Sequence, residues 1–532
     1  MERASEIARA RTGILARLIA AAAIVAILRA SPCAGDQAIP VSSSVAASAA
    51  ALETMARARF GNLTAAELIL VHSAPGRALA WVGPNSDPGS PGNNPADAVH
   101  WPDSRSIRAG IIRWLVSAPE TRPYIHPSGV GIAGARIVGE LDLTYLNVHS
   151  PLTILRCAIA DGVDFSNAQL PGIDLRRSLV SSVVGDSSIV NGDVVMIGGD
   201  YSEVSLFRTE ITGSLDFSEA HLTGDMPLSA VEAFIHGDAL FHEGFTTDGV
   251  LDFRLAHIGS ALSLKGACFV GSSQNGLDAG RARIDGGLYW DDITLTPKTI
   301  LDLDGTHAGV LWDDARSWPA PGNLNLDGFV YGDIAGGPDT AGARLRWIGR
   351  QAPGYRPQPY SELARVLRDR GSDIGAVDVM IAKNNDRRRN AGLSIGEWLW
   401  SWILDLTIGY GYKPLRAVWW IAAFVGVGAI LFQWGYQTRA ITPIEERAYQ
   451  VFVDTGEPPP YYPPFSALVY ALDNFLPIVD LHQGNYWRPN PRHGATWASG
   501  RLLRWYLWLH ILAGWVITPL LAAGLSGLLR GE

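Results

Sequence analysis

The sequence predicts a mainly β chain: a right-handed parallel β-helix closed by helical caps, followed by an α-helical membrane domain. Three observations carry this expectation. Glycine followed by apolar residues two apart recurs through the middle of the chain, eleven of the eighteen tryptophans follow position 390, and two late runs lack any charge. Indole rings concentrate where a greasy phase meets water, and each run exceeds the roughly 20 residues that cross a bilayer. Composition agrees. The 532 residues are 47% hydrophobic and 18% charged, enough for a large core, and the net charge of -9 offers nucleic acid no attraction.

The chain opens with Arg3, Arg9, Arg11 and Arg17 ahead of an apolar run from Leu18 to Leu28, then small residues. Basic, then greasy, then small is the order of a secretory signal peptide or signal anchor, here 1–35. Cys33 is a poor lipidation site, with Pro32 before it and Ala30 where a leucine is usual. Residues 50–127 read as an N-terminal helical cap. Within it, Ser104 to Pro119 is expected as one helix burying Ile107, Ile111, Trp114 and Leu115, after a mobile Gly-, Pro- and Asn-rich loop at 83–102.

The repeats define 128–335. "GELDLTYLNV" from Gly139, "GSLDFSEAHL" from Gly213 and "GVLDFRLAHI" from Gly249 share one pattern, and from Val163 to Val180 the spacing tightens to five. Val163, Ala168 and Ile173 form one series, with Phe165, Leu170, Leu175 and Val180 the other, a pentapeptide-like arrangement. A helix, with its 3.6-residue stripe, cannot produce it. Units too small to bury anything alone become stable by stacking. About 20 residues per coil gives roughly ten coils and a rod on the order of 50 Å long. Asp142, Asp216 and Asp252 fall between core positions and are expected to point outward or cap turns.

Downstream, 359–390 reads as a helical hairpin: Leu363, Val366 and Leu367 on one arm, Ile374, Val377 and Ile381 on the other, with Gly371 between. Arg387, Arg388 and Arg389 lead into 393–412, an interfacial helix with Trp398, Trp402 and Leu406 inward, ending in a bend. Transmembrane helices are expected at 415–438 and 505–529, touching at Ala422 and Gly426 on the first and Ala523 and Gly527 on the second.

Thr407 to Gly411 spells T-I-G-Y-G, close to the carbonyl ladder of potassium filters. No hydrophobic outer helix precedes it, and Lys413 follows where a cation pore favours an acid, so Gly409 and Gly411 are expected to supply the bend. A second pore-like feature, 463–489, lies between the two spans as a re-entrant or interfacial segment. It offers Pro477 and Asp480 where a filter has glycines. Asp473 and Asp480, costly in lipid unless paired or wetted, are its candidate functional residues, together with Pro477 and His482.

Several stretches together carry a resemblance: "NLTAAELILVHSAP" (62–75), "GVGIAGARIVGELDLTYLNV" (129–148), "PYSELARVLRDRG" followed by "MIAK", "DLTIGYGYKPLRA" and "FSALVYALDNFLPIVDLHQ". Over roughly 50–530 the chain resembles bacterial proteins labelled membrane-associated oxidoreductase. The resemblance implies the cap, the coils, the hairpin and the two-span membrane domain. It departs at the hydrophobic leader, which that family lacks. Its label implies redox chemistry, yet Gly129, Gly131 and Gly134, the one full G-x-G-x-x-G, precede a β-coil where a dinucleotide site needs strand, turn and helix. Cys157 and Cys268 are too distant to bridge, and His236 and His242 lack a third ligand.

No cofactor, metal or catalytic residue is expected. The first functional reading is a membrane-tethered scaffold binding an unidentified protein; the second is a channel-like module in which the hairpin oligomerises and 465–481 lines a path. Oxidoreductase stands third, on the label alone. Partners are the lipid bilayer, a protein and a second copy of the chain, with no nucleic acid. The expected location is a bacterial inner membrane with the coils periplasmic. Arg439, Arg447, Arg492, Arg501 and Arg504 favour a cytoplasmic loop between the spans, while Lys413 and Arg416 pull the other way.

Overall fold

The short strands of the repeats find their backbone partners in the coils above and below, and that stacking builds the middle of the molecule. The computed structural model describes residues 43–490 and 497–527, apart from 86, 88 and 243, so the basic and apolar leader lies outside the described residues. Between them runs a parallel β-solenoid of about nine turns. One face climbs from Val130 through Leu152, Ile173, Val194, Leu215, Ala239, Leu262, Leu288 and Leu311 to Ile334, each paired with the next. Successive partners are 21 to 26 residues apart, slightly more than the repeats suggest. Nine steps at the usual strand spacing give a rod of about 43 Å.

The column is filled by a continuous ladder that includes Phe165, Phe217, Phe241, Phe253, Phe269 and Trp290, all buried. Its corners explain the recurring acids. Asp142, Asp216 and Asp252 each accept the backbone N–H two residues on, from Thr144, Ser218 and Arg254. The aspartate turns the chain because its side chain supplies the acceptor the strand ladder no longer provides. Left-handed residues follow at Arg177, Ser187, Gly198, Arg208 and Glu219, ten or eleven apart, so each coil in this stretch carries two such corners.

Both ends are closed, as open strand edges require. At the N-terminus α1 (Ser43–Phe60) and α2 (Ala65–Ser73) lie over the first coils. The helix expected from Ser104 starts later: Ser106–Arg108 pairs with Arg136–Val138 as an edge strand, and α3 spans Ala109–Ser117. The stretch 83–102, expected to be mobile, contains two 3₁₀ segments, Pro91–Asn93 and Pro95–His100. Fully buried Asn93 ties it together by donating to Asn85 and Asp87.

The far end is closed by a helix that periodicity misses, α4 (Ala341–Ile348). Arg344 is fully buried and donates to both oxygens of Asp313 at 2.7 and 2.6 Å, while Trp318 donates to the same carboxylate. The hairpin follows as α5 (Pro357–Asp369) and α6 (Asp373–Asn390). Leu363, Val366 and Leu367 are buried as expected, but α6 is rotated: Ile374 is 79% exposed, and Ala376, Val379 and Met380 face the core.

The C-terminal helical part has a core of its own. Helix α7 (Ile395–Ile408) begins with a Ser394/Glu397 capping box; α8 (Arg416–Gln437), α9 (Glu446–Thr455), α10 (Ala467–Phe475) and α11 (Trp497–Leu525) complete it. Two helices, Arg416–Gln437 and Gly500–Leu525, are long and apolar enough to cross a membrane. The second begins five residues before the sequence expectation. Trp398, Trp402 and Leu406 of α7 are exposed rather than packed on the rest of the chain, while Thr407 and Ile408 are buried. The small-residue contacts also differ: Gly426 faces open space, while Gly428 and Gly435 meet the second helix at His510 and Leu503.

Candidate functional site

Two places in the described structure have geometry beyond packing. The first is the T-I-G-Y-G turn. Gly409, Tyr410 and Gly411 all adopt left-handed backbone, with φ of 53°, 57° and 87°. Two glycines reach this region without steric cost, whereas a tyrosine there costs about 1–2 kcal/mol. The strain is held by hydrogen bonds that close the turn, Tyr410 N–H to Leu404 O and Lys413 N–H to Ile408 O. The segment is therefore a compact reversal between α7 and α8, not an extended row of carbonyls.

That reversal is docked on the hairpin. Tyr410 donates to Asn385 at 2.9 Å, Lys413 pairs with Asp378 at 2.7 Å, and Arg388 pairs with Asp405 at 3.0 Å. Arg388, one of the three clustered arginines, thus acts as an internal tie. Each partly exposed pair contributes about 0.2–1 kcal/mol, but three ties on one helix face fix the direction in which the hairpin leaves the C-terminal helices.

The second place is the segment between the two apolar helices. Helix α10 runs beside α8 from its end to its middle. Phe465 stacks on Tyr436 with centroids 4.8 Å apart, Tyr470 meets Phe432 at 4.9 Å, and Phe475 meets Phe424 at 5.8 Å. The α8 positions 436, 432, 428 and 424 are four apart, one ridge of the helix. At its end α10 abuts Gly514, where any Cβ would overlap the Phe475 carbonyl oxygen. Gly514 is 14 residues from Gly500 and 11 from Leu525, the centre of that helix.

His510 locks the junction. It is fully buried, and its Nε2–H donates to Ala471 O at 2.9 Å. A Cβ on Gly428 would lie 2.8 Å from its ring and 3.3 Å from Ala471, so three helices meet where only glycine leaves room. Tyr506, one turn earlier, places its hydroxyl 3.4 Å from both His510 Nδ1 and Phe424 O. His510 was not singled out from the sequence, although a tyrosine–histidine pair four apart within an apolar run was the available signal.

Beyond Phe475 the chain leaves helical geometry and turns back. Asp473 pins the return by accepting Leu481 N–H at 2.5 Å and Gly484 N–H at 2.6 Å. Asp480 and His482 pair with each other at 2.8 Å and are exposed, as is Ile478 at 88%. Of the sequence candidates, Asp473 and the 480–482 pair share this turn and Pro477 shapes it; Gly409 and Gly411 belong to the separate reversal.

Elsewhere the candidates resolve into structure. Gly129, Gly131 and Gly134 lie in the first coil, flanked by strands 130–133 and 136–138, and Gly134 O accepts the Arg105 guanidinium. Cys157 is buried and Cys268 half-buried, both free; burial pushes the Cys157 thiol up to about 12. His236 contacts Glu210, and no group of three or more metal-ligating residues occurs among the described residues. Asp252, Asp278 and Asp302 stack in register, and burial lifts Asp278 above the usual carboxylate range. No family model, no curated protein and no solved structure matches the chain.

Proposed function

We propose that the chain is a membrane-tethered scaffold: a stiff β-solenoid held beside one bilayer face, presenting its flank to a protein partner without chemistry of its own. The observation that carries this reading is the joint, where Asp378, Asn385 and Arg388 of α6 tie the hairpin to Lys413, Tyr410 and Asp405 around the left-handed reversal. The hairpin shares one hydrophobic core with the solenoid, so a tether fixed to it orients the whole rod. The solenoid is assigned to the periplasmic side of a bacterial inner membrane. The pentapeptide-like spacing and the exported leader belong to the same reading, as does the resemblance to membrane-associated oxidoreductase-labelled proteins in architecture, though not in chemistry.

A second reading, a channel-like module, is favoured by a separate observation: α10 follows α8 to mid-length and the chain then reverses, as a pore loop does. Planar-bilayer recording on the reconstituted full chain separates the two. Silence in a folded, membrane-inserted preparation supports the scaffold. Conductance abolished by Asp480→Asn would replace it with the channel.

A further inference from the structure

The descending loop ends in a place that a single copy of this chain cannot make comfortable. Trp419 and Trp434, both exposed, lie 15 residues apart on α8, about 22 Å along its axis, within the roughly 30 Å of a hydrocarbon core. Gly428 falls between them and touches Ala471 and His510, while Phe475 reaches the centre of α11 at Gly514. Asp473 is two residues before Phe475, about 3 Å of helix rise. By binding the N–H groups of Leu481 and Gly484 it holds the return chain near that level. The hydrocarbon half-thickness is about 15 Å, so Pro477 to His482 lies well inside it.

The turn is poorly satisfied there. Among the described residues the N–H groups of Ile478 and Asp480 and the carbonyls of Pro477, Ile478 and Val479 have no hydrogen-bond partner. Asp480 and His482 have only each other and the His482 N–H, which donates to Asp480. Lipid-facing irregular backbone does not occur at such depth; it persists only against protein or around a water-filled cavity. Two crossings cannot wall a cavity. More protein must stand beside this turn.

We infer that copies of this chain assemble around residues 476–482, so that the turns of neighbouring copies face one another across a small hydrated space. A closed symmetric ring relieves every copy by one arrangement, whereas an unlike partner would have to supply the missing groups separately. Asp480 and His482 then face water at the axis, as intramembrane ionisable groups do. Ile478 packs on its neighbour, and the exposed Ile430 and Leu468, lining the groove between α8 and α10, extend that contact. The inference rests on the membrane reading and deepens the second functional reading without requiring conduction.

The test uses the full chain reconstituted in phosphatidylethanolamine–phosphatidylglycerol vesicles. An Ile478→Cys variant is oxidised with copper–phenanthroline beside Leu512→Cys on the exposed face of α11 and beside the parent carrying its native cysteines. Fixed neighbours raise effective concentration, so the Ile478→Cys chain should form covalent dimers at least about tenfold faster than Leu512→Cys. Fluorophore-labelled parent chain in nanodiscs should bleach in more than one step. Single-step bleaching with equal, slow cross-linking in vesicle-inserted protein overturns the assembly and leaves the tether standing. Release of the chain from vesicles by alkaline carbonate overturns both.

Discussion

Replacing Gly514 with alanine tests the junction most sharply, because the obstacle is backbone rather than a movable side chain. The added methyl overlaps the Phe475 carbonyl oxygen, which ends α10 and cannot rotate away. Overpacking of this kind costs about 1–3 kcal/mol. If α10 moves outward instead, the His510–Ala471 hydrogen bond is lost, worth about 0.6 kcal/mol in membrane proteins, with the Phe475–Phe424 contact, about 0.5–1.5 kcal/mol. Either route destabilises by about 1–3 kcal/mol. Against it stands the helix preference for alanine over glycine, at most about 1 kcal/mol. Gly426→Ala, whose methyl meets nothing within 4 Å, isolates that preference. Thermal unfolding in detergent, followed by circular dichroism, should show Gly514→Ala melting well below the parent and Gly426→Ala at or slightly above it. Equal midpoints for the two variants would refute the packing of α10 against α11.

The other expectations concern the caps and the core. Arg344→Met strands the Asp313 carboxylate in a dry site and should cost about 3–5 kcal/mol by calorimetry, partly restored by adding Asp313→Leu; an unchanged transition would mean that α4 does not seal the solenoid. Cys157 should resist a thiol reagent at pH 8.5 until the protein unfolds, since burial keeps its thiolate scarce; labelling at the rate of a free thiol contradicts the placement. At the N-terminal cap burial works to raise the pKa of Glu67, but the Arg108 guanidinium and the Thr64 and Arg108 N–H groups outweigh it and hold it below the usual range. Its stabilisation is therefore full above the unfolded value of about 4.3 and lost as pH falls through the lower folded value. Proteolysis between α1 and α3 should accelerate in acid for the parent and far less for Glu67→Gln; identical pH profiles would sink this assignment.

The solenoid was legible because its signal is a period that no helix shares, and the aspartates at its corners repeat with that period. Rotational details were not. Helix α6 carries apolar residues on more than one side, so Ile374 and Val379 are equally eligible for burial until packing on α5 and α4 selects Val379. The run Gly426-Val427-Gly428 offers small residues on nearly opposite faces of α8. Only the His510 ring, 82 positions further along the chain, decides that Gly428 is the contact. Helix α4 is short and has Gly342 in its first turn, and its place rests on a buried ion pair whose partner, Asp313, lies 31 residues away. The candidate site divides in the same way. Asp473, Asp480 and the glycine bend could be named from chemistry in an apolar context, but their partners, Leu481 and Gly484 for one and Asn385 and Asp378 for the other, depend on how segments distant in sequence come to rest.

In the proposed arrangement the rod stands on one side of a bilayer and the loop between the apolar helices opens on the other. Enzyme reporters inserted in separate chains at Gly337 and Gly456 read this directly. Activity is expected on opposite faces, with the Gly337 fusion outside and the Gly456 fusion in the cytoplasm. Both fusions reporting the same face would contradict it, because α8 would then not cross.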